Sequence, residues 1–169
     1  MGCQHAHRGE ETVKKYFSQI KIILAVFLVG FILMDIGSHP DSKSDVQDVA
    51  AKVMKAAGTG ERVPAEERMV KRFYGINPRD YAGVILYTPK DNMDVNEILI
   101  VKLRDQSQSE SVEAAIQNRL QTQLKSFEGY GAEQTALLKA HVLEVRGNYI
   151  LYAVGEKTDA VQKAFLDSL

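Results

Sequence analysis

The stretch VLEVRGNYILYAV, residues 142–154, predicts a β-hairpin. β-branched, aliphatic and aromatic residues lie on both sides of Gly147-Asn148, a dipeptide that favours a tight turn between antiparallel strands. A two-residue turn at this place pairs Val145 with Ile150. Because side chains alternate between the two faces of a strand, we expect one face of the hairpin to be the core side.

A second hairpin is predicted upstream. The segments GVILYT, residues 83–88, and EILIVKLR, residues 97–104, have the length and β-branched content of strands. The intervening PKDNMDVN is rich in turn-forming residues. We therefore expect these segments to be neighbouring antiparallel strands.

Apolar residues at helical spacing predict two helices before the first hairpin. The first is expected to have a capping box formed by Ser44 and Gln47 and to end at Gly58. The second is expected to have Pro64 in its first turn and to end at Gly75.

A long helix is predicted between the hairpins and a final helix after them. The long helix should begin with a capping box of Ser107 and Glu110 and end near Phe127, followed by a short helical turn. The final helix should run from about Thr158. This order predicts an α+β fold, in which helices pack on an antiparallel sheet of about four strands formed by two hairpins.

The run IILAVFLVGFILM, residues 22–34, predicts a membrane anchor. Extended to residues 20–36, a helix would measure roughly 26 Å, close to the ~30 Å hydrocarbon thickness of a bilayer. The chain is then expected to divide into a cytoplasmic tail at 1–19, a transmembrane signal-anchor helix at 20–36, a linker at 37–43 and an extracytoplasmic α+β domain at 44–169.

Two alternatives to an uncleaved anchor are a cleaved signal peptide and a buried core helix. The residues after Met34 lack the small pair that a cleavage site needs, and the single cysteine, Cys3, precedes the apolar run, whereas lipoprotein processing requires one after it. An uncleaved, single-pass anchor fits these observations better.

Charge predicts the orientation of the anchor. Cationic residues precede the run, whereas acidic residues dominate the segment that follows it, so the N-terminus should be cytoplasmic and the rest of the chain extracytoplasmic. The expected partner is therefore the lipid bilayer, together with envelope protein or cell-wall material. The chain has 21 Lys+Arg and 22 Asp+Glu and no basic patch, which argues against nucleic acid as a partner.

Two sets of side chains have the chemistry of metal ligands, but neither has a suitable pattern. Cys3, His5 and His7 lie in the tail with no fourth ligand nearby. The second set lies in the turn between the predicted strands. In an EF-hand calcium loop with this spacing, Glu97 would occupy the position of the turn glycine, and a leucine would occupy the position of the closing carboxylate. We predict no metal ion and no cofactor. The oxygen ligands of that turn are Asn92, Asp94, Asn96 and Glu97.

Two further features have both a functional and a structural interpretation. His141 could act as a base, but no catalytic motif accompanies it, and the hairpin register places it at a strand end on the apolar face. The segment FEGYG, residues 127–131, could present Tyr130 to a ligand. The alternative is that Gly129 ends the long helix in a left-handed conformation. The sequence favours the structural interpretation for both.

Several segments resemble an uncharacterised family of Gram-positive bacterial envelope proteins, domain of unknown function 4358. They are YTPK at 87–90, NEILIVK at 96–102, Phe127 and Tyr130 with Glu133-Gln134, and Gly147-Asn-Tyr before the last strand. The resemblance covers roughly residues 46–169 and departs from the family at Ala132, where we expect proline. It implies an N-terminal anchor or lipoprotein signal but supplies no activity, substrate or site residues.

Two functions remain open from the sequence. The first is a membrane-tethered extracytoplasmic binding or scaffolding module, which we expect not to be an enzyme. The second is a cell-envelope enzyme whose site is assembled from scattered acids such as Asp91, Asp94 and Glu97. No catalytic or ligand-binding residue is assigned by sequence.

Overall fold

The structure is a computed structural model that describes residues 39–58 and 62–169. The predicted tail and transmembrane helix, residues 1–19 and 20–36, lie outside this part of the chain, as do the first two residues of the predicted linker. Among the helices within the described ranges, none combines the length and apolar character that crossing a bilayer requires.

One antiparallel sheet of four strands organises the described chain. Strand β1 (Gly83–Tyr87) pairs with β2 (Glu97–Lys102), and β3 (Val142–Arg146) pairs with β4 (Tyr149–Val154). Strands β2 and β4 also pair with each other, so the strand order is β1-β2-β4-β3. The two predicted hairpins are confirmed.

The register of the second hairpin is the predicted one. Val145 faces Ile150 and Leu143 faces Tyr152, and Gly147 adopts φ +55° in the turn. The prediction of a single core face was wrong for β4, because every residue of this strand is buried. A central strand that is covered on both faces loses the alternation of buried and exposed residues.

Five α-helices in the described residues cover the two faces of the sheet. On one face, Val53 and Phe165 pack with Ile100 of β2. On the other, Ile116 and Leu138 belong to a second buried cluster that includes strand residues of the opposite face. The first face carries α1 (Val46–Ala57) and α5 (Thr158–Leu166), and the second carries α2 (Glu67–Tyr74), α3 (Ser109–Phe127) and α4 (Ala132–Lys139).

The caps of α1 and α3 differ from the predicted ones. Asp45 caps α1 by accepting a hydrogen bond from the Gln47 N–H at 2.8 Å, because the Ser44 hydroxyl donates instead to the Ser168 carbonyl. Before α3, the capping box is formed by Asp105 and Gln108 around a short 3₁₀ turn. Both shifts show that a nearby acceptor or turn can displace a cap by one or two positions.

The start of α2 was also predicted too early. The helix begins at Glu67, three residues after Pro64, because the preceding backbone runs along the edge of β1. The Ala65 N–H donates to the Leu86 carbonyl at 2.7 Å. This contact pairs part of an otherwise open strand edge and keeps the segment extended.

Residues 41–44 form a segment that we call the N-terminal strap. Ser42 N–H donates to Asn148 Oδ1 at 2.9 Å, and its hydroxyl donates to the Leu169 carbonyl at 3.0 Å. The Ser44 carbonyl accepts from Lys102 Nζ at 2.7 Å and from the Tyr149 hydroxyl at 2.6 Å. The strap therefore fastens the start of the domain to the Lys102 end of the sheet, although part of it falls within the predicted linker.

Candidate functional site

A cleft of about 420 Å³ lies at the opposite end of the central strands. Its walls come from the end of α1, the start of α5 and the loop between β1 and β2. Its volume is within the range of roughly 300–1,000 Å³ that is usual for small-molecule sites. The cleft is the candidate functional site, and its lining is arranged in three tiers.

The floor of the cleft is apolar. Ile98 and Ala153 face each other across the β2–β4 pair, and Ala57 and Val161 come from the two helices that cover this face. All four side chains are buried. Two of the four are alanines, so the floor carries little side-chain bulk.

The middle tier is an Arg62–Asp94 pair at the base of the β1–β2 loop. Arg62 Nη2 donates to the Thr88 carbonyl and, at 3.4 Å, to the Asn96 carbonyl, and it lies 4.0 Å from Asp94 Oδ2. Thr88 follows β1 and Asn96 precedes β2, so the guanidinium joins the two ends of the loop. The side chains of Arg62 and Asp94 are only 9% and 14% exposed, and each offsets the other's charge.

Hydrogen bonds within the loop fix the Asp94 carboxylate. Oδ2 accepts from the Lys90 N–H and Oδ1 from the Asn96 N–H, both at 2.8 Å. Partial burial alone would raise the pKa of Asp94, but these hydrogen bonds and the Arg62 charge outweigh burial and lower the pKa below its usual value. Asp94 is therefore held ionised.

The outer tier consists of exposed charges of both signs. Lys90 and Asp91 come from the β1–β2 loop, and Glu156 and Lys157 come from the turn that leads into α5. Asp91 Oδ1 also accepts from the N–H groups of Met93 and Asp94, at 2.8 and 3.0 Å. Two cations and two anions thus surround the mouth of the cleft.

Glu97 lies on the other face of the sheet and takes no part in the cleft. Its carboxylate is fully buried and receives two hydrogen bonds from Arg119, at 3.2 and 2.6 Å, and one from the Tyr74 hydroxyl. Of the acids that the enzyme hypothesis names, the structure therefore brings Asp91 and Asp94 together and separates them from Glu97.

The surroundings of Glu97 favour a structural role. Burial, with the nearby Glu97 charge second, raises the pKa of both Tyr74 and Tyr152, so these hydroxyls remain protonated in the folded chain. The Arg119 guanidinium lies 4.0 Å from the centre of the Phe73 ring. The network thus satisfies the carboxylate and leaves it no free oxygen for chemistry on a ligand.

Two of the oxygen ligands of the β1–β2 loop, Asp94 and Glu97, do not come together in the structure. Asp94 accepts from its own loop, whereas Glu97 points into the core on the other face. Within residues 39–58 and 62–169, no group of three or more His, Cys, Asp or Glu side chains is placed to hold a metal ion. Cys3, His5 and His7 lie outside the described residues.

Neither His141 nor Tyr130 lines the cleft. His141 Nδ1 lies 2.8 Å from the Leu138 carbonyl, and its ring packs 5.9 Å from the Tyr152 ring. Gly129 has φ +87° just beyond α3, and the Tyr130 ring lies 5.8 Å from the Phe127 ring while the residue remains 68% exposed.

Sequence reasoning missed Arg62 and the residues that begin α5. Arg62 precedes a helix in a polar stretch, and no local pattern shows that its side chain reaches the β1–β2 loop. Gly155 could have indicated this site, because a glycine at a strand end can mark a close approach of two segments. A Cβ there would lie 2.7 Å from Asn96 Oδ1, so the two walls of the cleft approach closely at this point.

Comparisons with known proteins place the chain in a family without a described activity. Searches of the curated proteins and of the solved structures found no significant match. The model of the family described as a domain of unknown function (DUF4358) matches residues 55–155, from the end of α1 to the glycine after β4. Because this match covers more than half of the chain, the resemblance to this domain is confirmed over residues 55–155 and the protein belongs to the DUF4358 family.

Proposed function

We propose that the chain is a membrane-tethered, extracytoplasmic binding module and that the cleft is its binding site. The observation that carries this proposal is the three-tiered lining of the cleft, in which hydrogen bonds fix the middle tier. Its polar wall is held by Arg62 and Asp94 before any ligand arrives, so little ordering of these side chains is needed on binding. Preorganised polar groups around an apolar floor are typical of ligand sites.

The state of the carboxylates favours binding over acid–base chemistry. A general acid or base works best with a pKa near the ambient pH, whereas the hydrogen bonds and Arg62 lower the pKa of Asp94. Asp91 uses one oxygen to accept two hydrogen bonds within its own loop. These two acids are therefore better suited to orienting a ligand than to transferring its protons.

An envelope enzyme remains the second candidate because Asp91 and Asp94 share one cleft. Such an enzyme would need one of these carboxylates to activate water or a substrate hydroxyl. Asp91→Asn would then abolish turnover of a substrate that the protein still binds, whereas in a binding module the same change alters affinity alone.

The tether in this proposal rests on the apolar run at 22–34 and on the charges that flank it. Under this proposal the domain lies outside the cytoplasm of a Gram-positive cell, where envelope protein or cell-wall material would supply the ligand. Carbonate extraction and protease treatment of intact protoplasts test this part. We expect the full chain to resist carbonate and the domain to be digested. Release by carbonate, or protection from protease, would contradict the tether.

Photocrosslinking in cells tests the binding site. A benzophenone amino acid at position 90, on the mouth of the cleft, should cross-link to cellular material, and Ala57→Leu should abolish this product because the larger side chain fills the cleft. Ala136→Leu, on the exposed surface of α4, is the matched control. The proposal fails if cross-linking persists unchanged in a folded Ala57→Leu protein.

A further inference from the structure

The charge balance of the cleft indicates which ligands suit it. Its lining includes three cationic side chains, Arg62, Lys90 and Lys157, and three acidic ones, Asp91, Asp94 and Glu156. The largely buried Arg62–Asp94 pair is neutral as a unit, which leaves charges of both signs at the mouth. A polyanion such as a nucleotide would meet Asp91 and Glu156, and a polycation would meet the two lysines. The cleft therefore favours a ligand with no net charge.

The floor indicates the character of the uncharged part of the ligand. Ala57, Ile98, Ala153 and Val161 are aliphatic, and the lining residues that the structure describes include no aromatic side chain. Nucleobases are commonly bound against aromatic faces, as in the stacking platforms of nucleic-acid-binding proteins. An aliphatic side chain matches this floor better.

Both walls of the mouth present charges of both signs. Lys90 and Asp91 lie on the β1–β2 loop, whereas Glu156 and Lys157 lie across the cleft at the start of α5, so each wall presents one cation and one anion. Side chains of the two walls pack close to glycines of the cleft: a Cβ at residue 155 would lie 2.7 Å from Asn96 Oδ1, and one at residue 58 would lie 2.7 Å from Lys157 Nζ.

We propose that the cleft binds a short aliphatic zwitterionic peptide, with its side chain on the apolar floor and its carboxylate and ammonium groups paired with the lysines and acids of the mouth. This inference rests on the proposed function and specifies the ligand class of the same site. Charge-assisted pairing of both termini distinguishes such a peptide from an uncharged ligand of equal size.

The test measures binding of one dipeptide and its charge-masked analogues to the full chain in detergent micelles. Alanyl-leucine should bind, and N-acetyl-alanyl-leucine and alanyl-leucine amide should each bind at least tenfold more weakly, since each lacks one terminal charge. Ala57→Leu should remove binding of alanyl-leucine, whereas Ala136→Leu should retain it. N-acetylglucosamine serves as a probe for an uncharged sugar.

Substitution of Lys90 tests whether this lysine pairs with the carboxylate of the dipeptide. Lys90→Met should weaken binding of alanyl-leucine but leave binding of its amide unchanged, because the amide has no carboxylate to lose. Lys125→Met, on the exposed surface of α3, should change neither.

Three results would overturn the proposal: equal affinities for the dipeptide and its masked analogues, tighter binding of N-acetylglucosamine, or no dipeptide binding at millimolar concentration. If one of these results occurs but Ala57→Leu still abolishes photocrosslinking at position 90, the peptide class is wrong and the proposed binding module stands. If Ala57→Leu also leaves cross-linking unchanged, both the peptide class and the binding module are wrong.

Discussion

At the scale of single residues, Glu97 illustrates how a charge is tolerated inside the core. Its carboxylate is fully buried, and Arg119 reaches it with a side chain that is 14% exposed. Burying an ion is costly unless a partner and hydrogen bonds compensate for lost hydration. Arg119, Tyr74 and Gln123 supply them here.

We expect Glu97→Gln to lower the free energy of unfolding by on the order of 3 kcal/mol, because it leaves Arg119 without its anion in a largely buried position. Urea denaturation measures this change. Arg79→Met breaks the exposed Arg79–Glu67 pair and should cost less than about 1 kcal/mol. Similar losses for the two variants would show that Glu97 is not a buried, paired charge.

Alanine substitutions at two neighbouring glycines should change the domain for different physical reasons. Gly129 has φ +87°, and a Cβ there would meet no atom within 4 Å, so Gly129→Ala should cost roughly 1 kcal/mol through backbone strain alone. A Cβ at Gly131 would lie 2.6 Å from Phe127 Cδ1, so Gly131→Ala should displace the Phe127 ring. Thermal denaturation and the near-ultraviolet circular dichroism of the aromatic residues separate these effects. Loss of aromatic signal in Gly129→Ala would contradict the assignment.

At the scale of elements, the sequence predicted what is determined locally. Both hairpins and the positions of the long and final helices follow from turn residues and apolar spacing over a few residues. The pairing of β2 with β4 and the second layer of helices join distant segments, for which the sequence has no local pattern. The same holds for the cleft: Asp91 and Asp94 were noticed, but Arg62 and Lys157 join them in its lining only through the tertiary fold.

The N-terminal strap should contribute measurably to stability. A chain of residues 45–169 loses the hydrogen bonds that Ser42 and Ser44 make with the rest of the domain, each worth about 1 kcal/mol. We therefore expect it to unfold at lower urea concentration than residues 40–169. Asn148→Ala in the longer chain should reproduce part of the loss, since Asn148 holds both the N–H and the carbonyl of Ser42. Equal urea midpoints of unfolding for the two chains would show that the strap contributes nothing to stability.

At the scale of the whole molecule, buried tyrosines should make the domain sensitive to alkali. Burial raises the pKa of Tyr74, Tyr149 and Tyr152, and for Tyr149 the raised value is about 12. Above about pH 10 the unfolded chain releases tyrosine protons that the folded chain retains. The folded state then binds more protons than the unfolded one, so stability falls as the pH rises.

For residues 40–169 we accordingly expect the free energy of unfolding to decrease between about pH 10 and pH 12, with the onset set by the ordinary tyrosine pKa of about 10. Tyr149→Phe should be less stable at about pH 8, because it loses the hydrogen bond to the Ser44 carbonyl, yet its stability should fall less steeply above about pH 10. Tyr130→Phe, at a residue that is 68% exposed, is the matched control for removing one tyrosine hydroxyl. Urea titrations at a series of pH values give the free energy of unfolding and its slope against pH. If this slope is the same in Tyr149→Phe as in the unchanged chain, the Tyr149 hydroxyl does not contribute to the alkaline transition.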